Sequence, residues 1–178
     1  MTGQNNCSVL KGGKNQMIVQ LRLDERLIHG QVVTAWARAL DINTILVAND
    51  EAANDPIKKS VLLMTVPTGK KVHVKGVEET IRLLSDPRAD KMNILLIVDN
   101  PDDALNLIEH LPIADINIAN YQKKKSEDKI IIHTYCTADQ NDLKTFEKIA
   151  QKGKHVYSQM LPSMNAEDFS ELLKKAKK

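Results

Sequence analysis

Residues 22–32, RLDERLIHGQV, put two guanidinium groups (Arg22, Arg26), two carboxylates (Asp24, Glu25), one imidazole (His29) and one glycine (Gly30) into a single short stretch. A neutral imidazole is a nucleophile when an acceptor holds its second nitrogen, and Asp24 is the nearest candidate acceptor. Arg22 and Arg26 bring fixed positive charge with forked donors suited to phosphate oxygens. Gly30 allows a tight turn and a close approach of backbone to ligand. A helix beginning just after His29 would add the backbone N–H groups of Gly30, Gln31 and Val32 to an anion site. The loop thus offers a nucleophile (His29), an orienter (Asp24) and an anion clamp (Arg22 and Arg26). Arg26, Gly30, Gln31 and Val32 are the phosphate-binding group. On residue types alone, a helix-start histidine beside surface ion pairs is the commoner explanation of such a loop, because short motifs match by chance. No GxxxxGK[ST] run is present, so binding of a nucleoside triphosphate has no support.

The elements around this stretch decide whether its groups can meet. Short apolar runs fall at residues 17–23, 44–48, 71–74, 93–98, 113–118, 130–134 and 156–160. Several, such as NILLIV and TILVA, lack polar alternation, as strands covered on both faces do. Helical patterns lie between them at 31–40, 55–64, 77–84, 101–110, 139–152 and 166–177. Asp55–Pro56 and Asn100–Pro101 read as cap-then-proline starts, and Gly153 as a stop. This alternation predicts an α/β fold: a three-layer, open, mostly parallel sheet of about seven strands with helices on both faces. Ligands collect at the carboxyl ends of strands in such sheets. Asp50, Asn120 and Ser163 therefore become cleft candidates beside the first loop. Asp99 and Asn100 divide evenly between cleft and helix cap. The connection after residue 118, ANYQKKKSEDK, is too polar and too short for a packed helix.

The whole chain sets the outer bounds. Its 178 residues favour one domain over residues 17–178, with residues 1–16 expected to be a disordered, polar leader. Hydrophobic residues are 42% and charged residues 27%, ordinary globular usage. A net charge of +2 and 3% aromatics argue against nucleic acid as a partner. Cys7 and Cys136 lie far apart with no metal-ligand spacing, so no metal or other cofactor is expected, and both thiols read as inert. No run approaches the roughly 20 apolar residues of a membrane span, and no signal-peptide core is visible, which predicts a cytoplasmic protein. His73 and His133 fall in strand runs as core or sheet residues. His110 falls at a helix end, and His155 is exposed. Trp36 reads as core.

The stretch RLDERLIHGQVVTAWA closely resembles the active-site segment of the IIB component of the mannose/fructose/sorbose family of bacterial sugar phosphotransferase systems. ILVANDEAANDPIKKSVLLMTVPTGKKV resembles that family's second strand, helix and third strand, LLIVDNPDDALNLIE its fourth strand and helix, and QMLPS its last strand. The likeness runs from about residue 17 to residue 163, and the length of the first motif reverses the odds that residue types alone give. It implies a seven-stranded, mostly parallel sheet and a phosphoryl relay. A IIA phosphodonor passes the group to Nδ1 of His29, and His29 passes it to a sugar imported by the membrane components IIC and IID. Arg22, Asp24 and Arg26 match the family's residues beside the phosphate. The protein would be peripherally associated with the membrane transporter, and a homodimer is the further assembly considered. Ala119, Asn120 and Tyr121 stand where the family has a glycine-asparagine-methionine stretch. That departure predicts a differently shaped loop, with Tyr121 narrowing the pocket. It also motivates one competing reading, a non-catalytic regulatory or binding relative with the same fold. The other competitor is a flavodoxin-like enzyme that binds a small anion or nucleotide at the same helix terminus.

Overall fold

The computed structural model describes residues 17–65, 68–86, 92–123 and 128–177. The leader expected over residues 1–16 lies outside the described residues, as do Cys7 and residues 124–127 of the polar connection. Strands and helices alternate in the order β1 (Ile18–Asp24), α1 (Gly30–Ala39), β2 (Thr44–Ala48), α2 (Asp50–Asn54), α3 (Pro56–Met64), β3 (Lys71–Lys75), α4 (Val77–Leu84) and β4 (Ile94–Val98). They continue as α5 (Pro101–His110), β5 (Asp115–Gln122), β6 (Ile130–His133), β7 (Cys136–Ala138), α6 (Gln140–Lys152), β8 (His155–Ser158), β9 (Glu167–Asp168) and α7 (Phe169–Ala176).

One sheet carries all the strands, in the order β3-β2-β4-β1-β5-β7-β6, with β8 on β5 and β9 on β8. The pairs from β3 across to β5 are parallel, as are β5–β7 and β5–β8. Only β6–β7 and β8–β9 run antiparallel. β2 and β4 are buried along their whole lengths, which explains their unbroken apolar runs TILVA and ILLIV. Each face of the sheet has its own core. Val33, Trp36 and Ala37 of α1 and Ala52 of α2 pack with Ile45, Val47 and Ile97 on one side. Leu84 of α4, Leu107 of α5, Phe146 of α6 and Phe169 of α7 pack with Leu21, Leu96 and Ile118 on the other. The expected three-layer α/β architecture is present.

Four details depart from expectation. The sheet has nine strands, because β7 and β9 are too short to leave an apolar signature. The chain does not loop out after residue 118. β5 continues to Gln122, since Asn120 still pairs with Asp24 and Tyr121 with Cys136. Partners on both sides hold a strand together where its composition reads as a turn. The last helix starts at Phe169, because Glu167–Asp168 first pair with β8 and Asp168 then accepts from Glu171 N–H as the helix cap. Gly153 does not take a left-handed stop (φ −70°). A Cβ there would lie 2.4 Å from Val156 Cγ2 and 2.7 Å from Ile116 Cδ1. Close packing therefore explains the glycine.

Candidate functional site

β1 lies between β4 and β5, and level partners bring Leu23 beside Val98 and Asp24 beside Asn120. The helices after β1 and β4 go to opposite faces of the sheet, α1 to one and α5 to the other. Divergence of this kind opens a crevice at the strand ends. The chain then turns at Asp24–Leu27, where Leu27 N–H donates to Asp24 O at 2.8 Å and Leu27 sits at φ 56°. A leucine in the left-handed region is uncommon and persists only where its surroundings over-determine it. The tight turn thus falls on Leu27. Gly30, expected to supply it, is the first residue of α1 and would meet only Thr65 O, at 3.9 Å, if it carried a Cβ.

His29 is exposed and occupies the N-cap position of α1 (φ −115°, ψ 107°) with no side-chain cap and no acid in the first turn. Its ring makes no hydrogen bond or ion pair with a described residue. The other described helices have a side-chain acceptor at their first turns: Asn49, Asp55, Asn100, Asp139 and Asp168 on their own helices, and Asp50 on Val77 N–H of α4. The first-turn N–H groups of Gly30, Gln31 and Val32 have no partner within the helix itself. A positive helix end with unspent donors thus stands directly beside a solvent-facing imidazole.

Beneath the loop lies a buried polar network. Arg22 and Asp24 are 0% and 1% exposed and meet at 2.9 Å, Nη2 to Oδ2. Asp24 Oδ1 also accepts from Arg26 N–H at 3.2 Å and from Asn120 Nδ2 at 3.3 Å. The hydrogen bond expected from His29 to Asp24 is not formed, because Asp24 points into the sheet among these donors. Arg22, expected at the phosphate, is mid-strand and covered. Its Nη1 donates to Gln159 O at 3.4 Å and its Cζ lies 5.8 Å from the centre of the Trp36 ring. Burial lowers its pKa and Asp24 pulls it back up. Nε of Arg22 is buried without a partner among the described residues. Arg26 keeps a half-exposed side chain (46%), its Nε 3.7 Å from Asp24 Oδ1. It is the guanidinium of this loop that faces solvent.

The remaining candidates separate by what they touch. Asn120 is buried against Asp24 and belongs under the loop. Asp50 is exposed but committed to Val77 N–H at 2.9 Å, and Ser163 is exposed in the turn after β8. Asn100 accepts from Asp103 N–H as the α5 cap and donates to Asp99 and Asp103. Burial raises the pKa of Asp103, and the neighbouring Asp99, Asp50 and Asp102 push it the same way against Asn100. Tyr121 does not narrow the crevice. Alternation along β5 sends it to the opposite face, where its hydroxyl donates to Asp142 at 3.1 Å and its ring meets Phe146. His73 is a sheet residue, exposed on the edge strand β3. His133 pairs with Glu167 and His155 with Asp115. Cys136 is buried, and desolvation pushes its thiol up to about 12. Among the described residues no group of three or more His, Cys, Asp or Glu is placed to hold a metal ion.

Sequence reasoning missed the cover over Arg22. Trp36, read as core, does pack there, but its indole N–H also donates to Met160 O at 3.0 Å. Asn117 and Gln159 exchange two hydrogen bonds, at 2.9 and 3.0 Å, that fix the same segment after β8. A lone polar residue inside an apolar strand run, Asn117 in DINI, was the available signal.

Three comparisons bear on this arrangement. The family described as the sorbose-subfamily IIB component of the PTS (the sugar phosphotransferase system) matches residues 18–178. A probable phosphotransferase enzyme IIB component of Streptococcus pyogenes serotype M6 is 33% identical over 162 residues, covering 88% of this chain and 99% of that protein. The mannose-specific EIIAB component of Escherichia coli K12 is 30% identical over 144 residues, 80% of this chain and 44% of that longer protein. The crystal structure of the IIBSor domain of the Klebsiella pneumoniae sorbose permease superposes with a TM-score of 0.83 at 24% identity, covering 90% of this chain and 98% of that one.

Proposed function

The chain belongs to the sorbose-subfamily IIB components of the bacterial sugar phosphotransferase system, and from that premise we propose that His29 is the residue through which it carries phosphoryl groups. It is a phosphotransferase of sugar uptake that works with a IIA donor and with membrane IIC and IID components. The observation that carries the His29 assignment is an exposed imidazole standing at a helix N-terminus that no side chain caps.

The chemistry balances without an added reactant. Nδ1 of neutral His29 attacks the phosphorus of the IIA phosphohistidine, the new N–P bond forms as the old one breaks, and the departing imidazole keeps the electron pair. The proton released by His29 goes to that leaving group. In the second step a sugar hydroxyl oxygen attacks phosphorus, the His29 N–P bond breaks and the hydroxyl proton passes to the imidazole. Positioning and charge compensation are what such a transfer asks of a protein. The N–H groups of Gly30, Gln31 and Val32 and the side chain of Arg26 bind the equatorial oxygens. Arg22 acts one step back: it holds Asp24, and Asp24 holds the backbone and side chain of Arg26.

The unit that does this is residues 17–178, acting on the cytoplasmic side against the membrane transporter. Asp50, Asn120 and Ser163 rim or underlie the crevice. The test is incubation with phosphorylated IIA. The native chain takes up label and His29→Ala takes up none. Undiminished labelling of His29→Ala removes the proposal.

A further inference from the structure

α3 is built the wrong way out for a helix of a closed domain. None of its residues is buried. Ile57, Val61 and Met64 are 77%, 56% and 85% exposed, while Lys59 and Leu62 are partly covered. At about 100° per residue the side chains of Ile57, Val61 and Met64 share an arc of about 60°, while Leu63, also exposed, lies off it. The three form one stripe pointing away from the body. A contiguous apolar stripe left in water marks an interaction surface.

Its position says what covers it. Thr65, which closes α3, has its carbonyl oxygen 3.9 Å from where a Gly30 Cβ would lie, so the helix ends against the His29 loop. From Thr65 back to Ile57 the helix runs about 12 Å. A standard protein–protein contact of about 800 Å² per partner has a radius of about 16 Å. A contact of that size seated on His29 is wide enough to reach Met64 and Val61. Of the two transfers, the first brings two protein side chains together, so protein surface must close around both. The second presents a sugar hydroxyl held by the membrane components, with no second protein side chain at the phosphorus.

We propose that the Ile57–Val61–Met64 stripe of α3 is the docking surface for the phosphohistidine-bearing IIA donor, a proposal that rests on His29 being the acceptor. The partner surface is an apolar patch beside its own histidine, with polar groups to meet Lys58 and Ser60 at the edge of the stripe.

The experiment uses the full chain with Val61→Asp, Met64→Lys and their combination. All lie at exposed positions, and circular dichroism and the unfolding midpoint check that each folds as the native chain does. Transfer from phosphorylated IIA is measured against IIA concentration, and labelling by phosphoramidate, a small donor that needs no docking, is measured beside it. The expected result is a KM for IIA raised about tenfold or more in the double variant, with the saturating rate and the phosphoramidate reaction unchanged. Ile57→Ser serves as the third variant should either charge substitution disturb folding. An unchanged KM overturns the proposal while leaving His29 as acceptor. So does a defect confined to sugar phosphorylation on IIC/IID vesicles, or a stripe found buried between two copies of the chain by sedimentation. Absence of label on native His29 removes the acceptor itself, and the docking proposal with it.

Discussion

Burying a guanidinium and a carboxylate is costly unless they pair, and Arg22 and Asp24 pair at 2.9 Å under the His29 loop. The pair holds the turn that precedes the histidine, since Asp24 also accepts from Arg26 N–H and Asn120. Removing one charge strands the other. Asp24→Asn is therefore expected to lower unfolding free energy by about 3–5 kcal/mol, measured by urea denaturation. A loss below about 1 kcal/mol would mean that Arg22 finds compensation elsewhere. The residue types of this loop were legible because their density in eleven residues is unusual. Which of them face solvent was not. Arg22 and Arg26 look alike in the sequence, and only the strand boundary at Asp24 separates a buried arginine from an exposed one.

Among the elements, the starts of α1 and α3 to α6 and the apolar strands β1, β2 and β4 were read to within a residue, whereas α2, the start of α7 and the shortest strands were not. α4 and α5 begin and end where their patterns predict. β7 and β9 exist only because neighbours bond to them, and two or three residues carry no period. Two tests belong at this scale. Gly153→Ala forces a methyl group to within 2.4 Å of Val156 Cγ2, so the variant should lose about 1–3 kcal/mol by denaturant titration, through crowding between α6 and the sheet. The second concerns acid. Asp139 caps α6, and its pKa is held down by hydrogen bonding from the Asp142 backbone and by Lys123. A carboxylate depressed in the folded state adds stability above its unfolded value of about 3.9 and loses it as pH falls through the folded one. Asp139→Asn should therefore flatten the decline in stability below about pH 4, read from unfolding midpoints across a pH series. An unaltered slope would remove Asp139 from the acid response.

At the scale of the whole molecule, one parallel sheet with a core on each face carries a loop at the point where its flanking helices diverge. That arrangement leaves His29 exposed above the buried Arg22, Asp24 and Asn120. The alternation of strand and helix made the architecture legible from sequence, and the long first motif made the family legible. The outward stripe of α3 was not, because an apolar face reads the same whether it turns toward a core or toward a partner. Covalent carriage by His29 is decided by trapping the chain after transfer from phosphorylated IIA and recording nitrogen-resolved NMR of its histidines. Phosphorus bonded to Nδ1 of His29 is expected, with the rings of His73, His110, His133 and His155 unmodified. Phosphorus on any of those four, or a protein that binds phosphate with the His29 ring unaltered, would contradict it.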